Sequence, residues 1–221
     1  MPYDLHRTLS KYVFPGPRAT DQPEGEGDYD LRHGMLFRIE SATRTGVPVL
    51  VQSSILPDWE RLPAGYSLLI DGPKSFQPRF AEGQQLRFRV VANPVRRVRV
   101  EGKKNPRRMP LVHPHAKEGI ESGYFDWLER QAKRHGFALV RDTVVDAPFR
   151  IGRKRRLKPI DGTSGKAVES TEKARLGLFG VRFDGVLRVN DPEKVLGAIR
   201  TGIGPAKAFG FGLLSLAPVR R

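Results

Sequence analysis

The sequence predicts a mixed α+β protein rich in antiparallel strand pairs, and three observations carry that expectation. Short apolar runs with period-two alternation recur, as in Gln85-Leu86-Arg87-Phe88-Arg89-Val90-Val91-Ala92. Between them lie three stretches with helical spacing, at the start, at 120–135 and at 191–201. Several strands follow one another without a helix between, which calls for antiparallel neighbours.

In chain order, Pro2 suits a first helical position, and Leu5, Leu9, Tyr12 and Val13 form an apolar stripe facing away from the polar residues of that helix. Phe14-Pro15-Gly16-Pro17 stops it, and residues 16–33, rich in Gly, Pro, Asp and Glu, read as a loop. Strands are expected at 35–40, 47–53, 66–70 and 85–92, the last with arginines on one face and a stop at Asn93-Pro94. A basic stretch follows, with Arg96, Arg97, Arg99, Lys103, Lys104, Arg107 and Arg108. Ile120, Phe125, Trp127, Leu128 and Ala132 then mark an amphipathic helix over 120–135, closed by Gly136. A strand over 138–145 leads into a second basic cluster, and residues 159–173 read as a hairpin tip. Residues 176–189 form one long strand, or two with a bulge at Gly185. Asp191-Pro192 caps a helix running to Thr201, and residues 211–216 are the final strand.

The second half therefore reads strand-helix-strand-strand-helix-strand, a ferredoxin-like βαββαβ unit whose first strand is either 86–92 or 109–112. The first half reads as the same unit without its opening strand, since a helix starts at residue 2. The expected architecture is α+β with tandem ferredoxin-like (RRM-like) domains, 1–94 carrying the first helix and 95–221 carrying the basic hairpin and a glycine-rich loop.

Charge narrows the partner. Lys and Arg number 39 against 24 Asp and Glu, a net charge of +15, which implies a polyanion, nucleic acid before membrane. A merely basic, solvated surface is the bland alternative. The chain has no cysteine, which removes disulfides, thiolate catalysis and zinc-thiolate sites and suits an intracellular protein. No apolar run approaches ~18 residues, and Met1-Pro2-Tyr3-Asp4-Leu5-His6 lacks the apolar core of a signal peptide.

The segment Gly202-Ile203-Gly204-Pro205-Ala206-Lys207-Ala208-Phe209-Gly210-Phe211-Gly212 places two G-x-G pairs around a lysine. Such a loop can wrap a phosphate with backbone amides, or simply turn the chain into its last strand. Four glycines around a lysine favour the phosphate. The pattern matches neither a P-loop nor a dinucleotide fingerprint, so a polymer backbone is the expected ligand. On the first helix, spacings of three and four set Tyr3 beside His6, Arg7 and Lys11 on an outward face. Histidine suits general acid or base work near neutral pH, and Arg and Lys suit a phosphate. On spacing alone, one exposed helical histidine is more often an ordinary surface residue.

His113-Pro114-His115 lacks a third ligand at useful spacing and reads as a polar loop. Glu24, Glu26, Asp28 and Asp30 read as solvating a loop rather than holding a metal. The cluster Arg150, Arg153, Lys154, Arg155, Arg156 and Lys158 beside a strand hairpin suggests a ribbon laid along phosphates, as duplex RNA recognition favours.

The glycine loop running into Leu213-Leu214-Ser215-Leu216-Ala217-Pro218 resembles the C-terminal motif of the CRISPR-associated endoribonucleases, and more narrowly the CasE family of type I-E Cascade. The resemblance extends to Tyr3-Asp4-Leu5-His6, Val49-Leu50-Val51-Gln52-Ser53, Ala92-Asn93-Pro94, residues 181–189 and Asn190-Asp191, nearly the whole chain. It implies tandem ferredoxin-like domains and site-specific, metal-independent cleavage of precursor CRISPR RNA at the base of the repeat stem-loop. Tyr3 and His6 match the family's catalytic Tyr-x-x-His, and Arg7 and Lys11 lie where supporting cations are expected. The cluster from Arg150 to Lys158 occupies the position of the hairpin that grips the RNA stem, and Lys207 matches the basic residue of the glycine loop. The family carries a strand and linker ahead of the catalytic helix, where this chain begins at Met1.

The implied chemistry is attack of a ribose 2′-OH on the adjacent phosphorus, leaving a 2′,3′-cyclic phosphate and a 5′-OH, with no cofactor. His6 and Tyr3 would share acid and base roles that sequence does not divide between them. The implied partners are the crRNA stem-loop and the other Cascade subunits, in the cytoplasm and away from membrane. Two rivals stand beside this reading: a non-catalytic RNA-binding scaffold, and a generic basic ribosomal or DNA-binding protein.

Overall fold

The computed structural model describes residues 2–14, 34–102, 105–117, 122–153 and 176–219. The expected acidic loop residues Glu24, Glu26, Asp28 and Asp30 lie outside these, as do Lys154, Arg155, Arg156, Lys158 and the hairpin tip. Among the described residues, no helix is long and apolar enough to cross a membrane.

The largest sheet has four strands: β3 (Gln85–Ala92), β6 (Phe137–Arg153), β7 (Leu176–Val189) and β8 (Leu214–Pro218), in the order β6-β7-β3-β8 with every neighbour antiparallel. Helix α2 (Tyr124–Arg134) joins β3 to β6 through intervening chain, and α3 (Pro192–Thr201) joins β7 to β8. Alternation dictates which face is dry. Leu86, Phe88, Val90 and Ala92 on β3, with Phe179, Val181, Phe183, Leu187 and Val189 on β7, are buried beneath the helices. The helices contribute Tyr124, Trp127, Leu128 and Ala132 from α2, and Val195, Ala198 and Ile199 from α3. Asp191 caps α3, its side chain accepting from the Lys194 N–H at 3.1 Å, with Pro192 at the first helical position. Strand β3, which the 1–94 segment contains, is thus an inner strand of the sheet formed with residues 137–218.

The bulge expected at Gly185 is realised on the partner strand. Val140 pairs with Val186 and Val145 with Asp184, so residues 141–144 arch opposite Gly185. The Thr143 hydroxyl takes over the ladder there, donating to the Val140 carbonyl at 2.6 Å and accepting from the Val186 N–H at 2.8 Å. A Cβ on residue 185 would lie 3.0 Å from Val144 Cα, so the arch needs glycine.

Residues within 2–14 and 34–62 form a smaller core. Helix α1 (Pro2–Thr8) continues as a π-helical turn over Leu9–Val13, and strands β1 (Leu36–Ile39) and β2 (Val49–Gln52) pair antiparallel. Leu9, Val13, Phe14, Met35 and Phe37 are buried together, flanked by Leu5, Ile39, Val49, Val51, Trp59 and Leu62. The strand expected at 66–70 does not form: among the described residues no partner strand borders it, and Tyr66, Leu68, Leu69 and Ile70 are exposed, Leu69 to 73%. An apolar run alone does not make a strand without a ladder to complete its backbone bonds.

The basic stretch after Pro94 folds into a hairpin that the sequence had not announced, β4 (Val95–Val98) against β5 (Arg107–Pro110). Residues 109–112, the second option for an opening sheet strand, therefore belong in part to this separate ribbon.

Links between the small core and the large sheet converge on its C-terminal segment. The Gln52 amide donates to the Ile199 carbonyl at 2.7 Å. Arg38, only 5% exposed, donates to Ser215 Oγ at 2.8 Å and to Glu40 at 2.7 Å. Arg89 on β3 faces Glu40 at 3.7 Å and binds Asp184, which Arg182 also meets at 2.9 Å. This ionic chain lies on the sheet face opposite the helices, since Arg89, Arg182 and Asp184 alternate with the buried strand residues.

Candidate active site

Tyr3 and His6 lie one helical turn apart on α1, ring centroids 6.3 Å apart and stacked. His6 is not on an outward face: it is 7% exposed, its ring 6.2 Å from that of Phe37. The physical reason is the register of the helix. His6, Leu9 and Val13 follow i, i+3 and i+7 and share the buried side, while the π-helical turn from Leu9 leaves Tyr12 at the surface. The predicted stripe included Tyr12 and missed His6.

Half-buried Tyr3 stacks on Phe209 in the glycine loop, centroids 5.5 Å apart. The four rings Phe37, His6, Tyr3 and Phe209 thus make one row from β1 through α1 to that loop. Phe37 and Phe209 carried no signal of this in the sequence; only the three-dimensional approach of β1 and the loop reveals it. Arg7 and Lys11 are exposed on the same helical segment. Lys11 Nζ sits 4.9 Å above the Tyr12 ring, so Lys11 is associated with Tyr12 rather than stacked into the aromatic row.

The glycines of the loop answer to packing. All four have positive φ, from 73° at Gly202 to 94° at Gly212. A Cβ at Gly202 would lie 2.9 Å from Leu36, one at Gly204 2.8 Å from Trp127, one at Gly210 3.0 Å from Phe37, and one at Gly212 2.9 Å from the Ile203 carbonyl. Protein, not open space, fills those positions. Ile203 and Gly212 close the loop through an N–H to carbonyl bond of 2.8 Å, and Gly212 N–H anchors it to Val91 on β3 at 2.7 Å. Ala206 also takes a left-handed backbone, φ 68° and ψ 32°, a rare conformation for a residue with a side chain.

Three cations gather at a cleft beside the aromatic row. It has a volume of about 300 Å³, with Met35, Leu36 and Phe209 among its apolar lining. Lys207 of the loop reaches it, joined by Arg108 of β5 and Arg200 of α3, neither of which the sequence had marked as a site residue beyond general basicity. The field is felt nearby: burial first, then the Arg134 and Lys207 charges, holds the His135 imidazole below its usual range.

Arg150 lies on the long β6–β7 hairpin, its guanidinium 5.7 Å from the centre of the Phe179 ring. Arg153 ends β6, and the rest of that cluster lies outside the described residues. His115 stacks on Phe125 with centroids 5.1 Å apart, and the His113 carbonyl accepts the Tyr124 N–H at 2.8 Å, so this dipeptide pair serves the start of α2. Among the described residues, no three His, Asp or Glu side chains gather as a metal-ligating group.

Known proteins resemble the chain over nearly its whole length. Residues 1–218 match a family model described as CRISPR associated protein. The chain is 38% identical over 226 residues to the CRISPR-associated endoribonuclease Cse3 of Thermus thermophilus, covering 98% of this chain and 90% of that one. It is 30% identical over 225 residues to the CRISPR system Cascade subunit CasE of Escherichia coli, covering 98% and 92%. A solved structure of Thermus thermophilus Cse3, bound to an RNA representing a pre-cleavage complex, superposes with a TM-score of 0.70 at 35% identity, covering 98% of this chain and 89% of that one. The chain belongs to the Cse3/CasE family of CRISPR-associated endoribonucleases.

Proposed function

We propose that the protein is the processing endoribonuclease of a type I-E system. It cleaves precursor CRISPR RNA at the base of the repeat stem-loop without a metal, and stays on the product as a Cascade subunit in the cytoplasm. The observation that carries this reading is the Tyr3–His6 pair stacked through Phe209 onto a glycine loop, directly beside a cleft lined by cations. Acid–base side chains next to a phosphate-attracting cleft are what RNA transesterification requires.

In that reaction the 2′-oxygen bonds to phosphorus while its proton passes to a base. The bond from phosphorus to the 5′-oxygen then breaks as that oxygen receives a proton from an acid. His6 and Tyr3 fill these two roles, worth about 10²–10⁴-fold for a positioned proton carrier. Arg7 and Lys11 offset the charge that develops on the phosphorane oxygens. The nucleophile belongs to the substrate, so a strand lacking the 2′-OH is bound and not cut. Arg150, Arg153, Lys154, Arg155, Arg156 and Lys158 hold the stem through its backbone.

We further propose two ferredoxin-like units. The order β6-β7-β3-β8 around two helices supports one βαββαβ unit beginning at β3 rather than after Pro94. Helix α1, β1 and β2 represent the other. The function is tested by cleavage of a repeat stem-loop RNA in excess EDTA, with His6→Ala as the companion.

A further inference from the structure

Among the described residues, two cations on the cleft lack an anionic partner: neither Arg108 nor Arg200 makes an ion pair or a side-chain hydrogen bond. Arg108 is further burdened by register, since it lies directly opposite Arg97 across the β4–β5 hairpin, and both are exposed. Like charges opposed across an antiparallel pair are destabilising. Arg107 on the same strand is exposed as well. The hairpin projects Arg108 toward the end of α3, where Arg200 stands, and toward Lys207 in the loop. Met35 and Leu36 at the cleft are buried and apolar, which lowers the local dielectric and strengthens attraction for an anion. The volume of about 300 Å³ is at the low end of ligand sites.

We propose that this cleft is a second anion site, in which Arg108 and Arg200, with Lys207, hold a backbone phosphodiester of the RNA strand adjoining the one that is cut. The inference rests on the endoribonuclease reading above, and it adds the β4–β5 hairpin as an RNA-contacting ribbon separate from the long β6–β7 hairpin. Phe209 both lines the cleft and carries Tyr3, so a phosphate held here is one side chain from the acid–base pair. Held there, it fixes the strand's path and therefore which bond faces His6.

The test measures binding of a repeat stem-loop RNA carrying a single 2′-deoxynucleotide at the cleavage position, as a function of salt. Each lost single-strand phosphate contact reduces the slope of log affinity against log salt by about 0.7, so Arg108→Ala with Arg200→Ala, which together release the one phosphodiester they share, reduces it by about 0.7. A rise in Kd of about fourfold near physiological salt accompanies that change. Arg108→Lys with Arg200→Lys keeps the slope, which separates lost charge from a damaged fold. Arg141→Ala, which removes a charge paired with Glu129 outside the cleft, also leaves it intact. An unchanged slope in the double alanine variant overturns the site while wild-type cleavage still supports the enzyme. Failure of the wild-type protein to cleave the all-ribose RNA overturns the enzymatic reading and this site with it. Equal slope losses on duplex DNA of unrelated sequence also overturn it, since the site would then be a general anion surface.

Discussion

Replacing Arg38 with methionine keeps most of the side-chain volume and removes only the guanidinium. Three donated contacts vanish: Nε and Nη2 to Glu40, each 2.7 Å, and Nη1 to Ser215 Oγ at 2.8 Å. Hydrogen bonds to charged groups contribute about 1.5–3 kcal/mol, and breaking a buried pair costs about 3–5 kcal/mol when the survivor is stranded. Glu40 is not stranded, for its side chain is 30% exposed and Arg89 waits at 3.7 Å. The cost should therefore sit at about 2–3 kcal/mol, a fall in Tm of about 5–10 °C for a chain this long. Urea unfolding of the wild type, Arg38→Met, Glu40→Gln and the double variant measures it, with a coupling energy of at least about 1 kcal/mol expected between the two positions. A loss below about 0.5 kcal/mol, or no coupling, would refute the stabilising role given to the Arg38–Glu40 pair, which holds the guanidinium that reaches Ser215 on β8.

Gly210→Ala forces a side chain into a left-handed backbone at φ 83° and sets its Cβ 3.0 Å from Phe37. A loss of about 1–3 kcal/mol in urea unfolding is expected, and a neutral outcome would contradict the packing role given to that glycine. Tyr124 donates its hydroxyl to Asp146 at 2.6 Å, and burial, then that bond and the carboxylate charge, pushes the phenol from 10.0 to about 12. The folded protein holds this proton more tightly than the unfolded chain. Its contribution is complete below pH 10 and is lost as pH rises toward 12. The stability gap between wild type and Tyr124→Phe, followed by urea midpoints, should shrink across that window, and a gap that widens would contradict it.

Much of the large sheet could be read directly. Strand β3 alternates strictly, β7 does so over much of its length, and Asp191-Pro192 followed by an apolar stripe marks α3, so local chemistry and tertiary burial agree there. Residues 66–70 misled because apolar content signals burial only when a neighbouring strand supplies the ladder. The β4–β5 hairpin hid in the opposite way: its strands hold Arg96, Arg97, Arg107 and Arg108, whose charges mask a short ribbon. At the site, Tyr3 and His6 stood out by residue type and family motif, whereas the burial of His6 beside Leu9 and Val13 was masked by a stripe drawn through Tyr12, which the π-helical turn leaves at the surface. The glycine loop stood out by composition, whereas the packing of its glycines on Leu36, Phe37, Trp127 and Ile203, and the meeting of Lys207 with two distant arginines at one cleft, depend on chain segments far apart in sequence.

The central claim is that His6 takes part in metal-independent cleavage of RNA bound elsewhere on the surface. Single-turnover cleavage and binding of the repeat stem-loop, both in excess EDTA, test it with wild type and His6→Ala side by side. The account predicts cut RNA ending in a 2′,3′-cyclic phosphate for the wild type. It predicts a rate at least about 10²-fold lower for His6→Ala, with Kd for the stem-loop within a few-fold of wild type. Cleavage that needs a divalent metal, or that persists undiminished in His6→Ala, would contradict it.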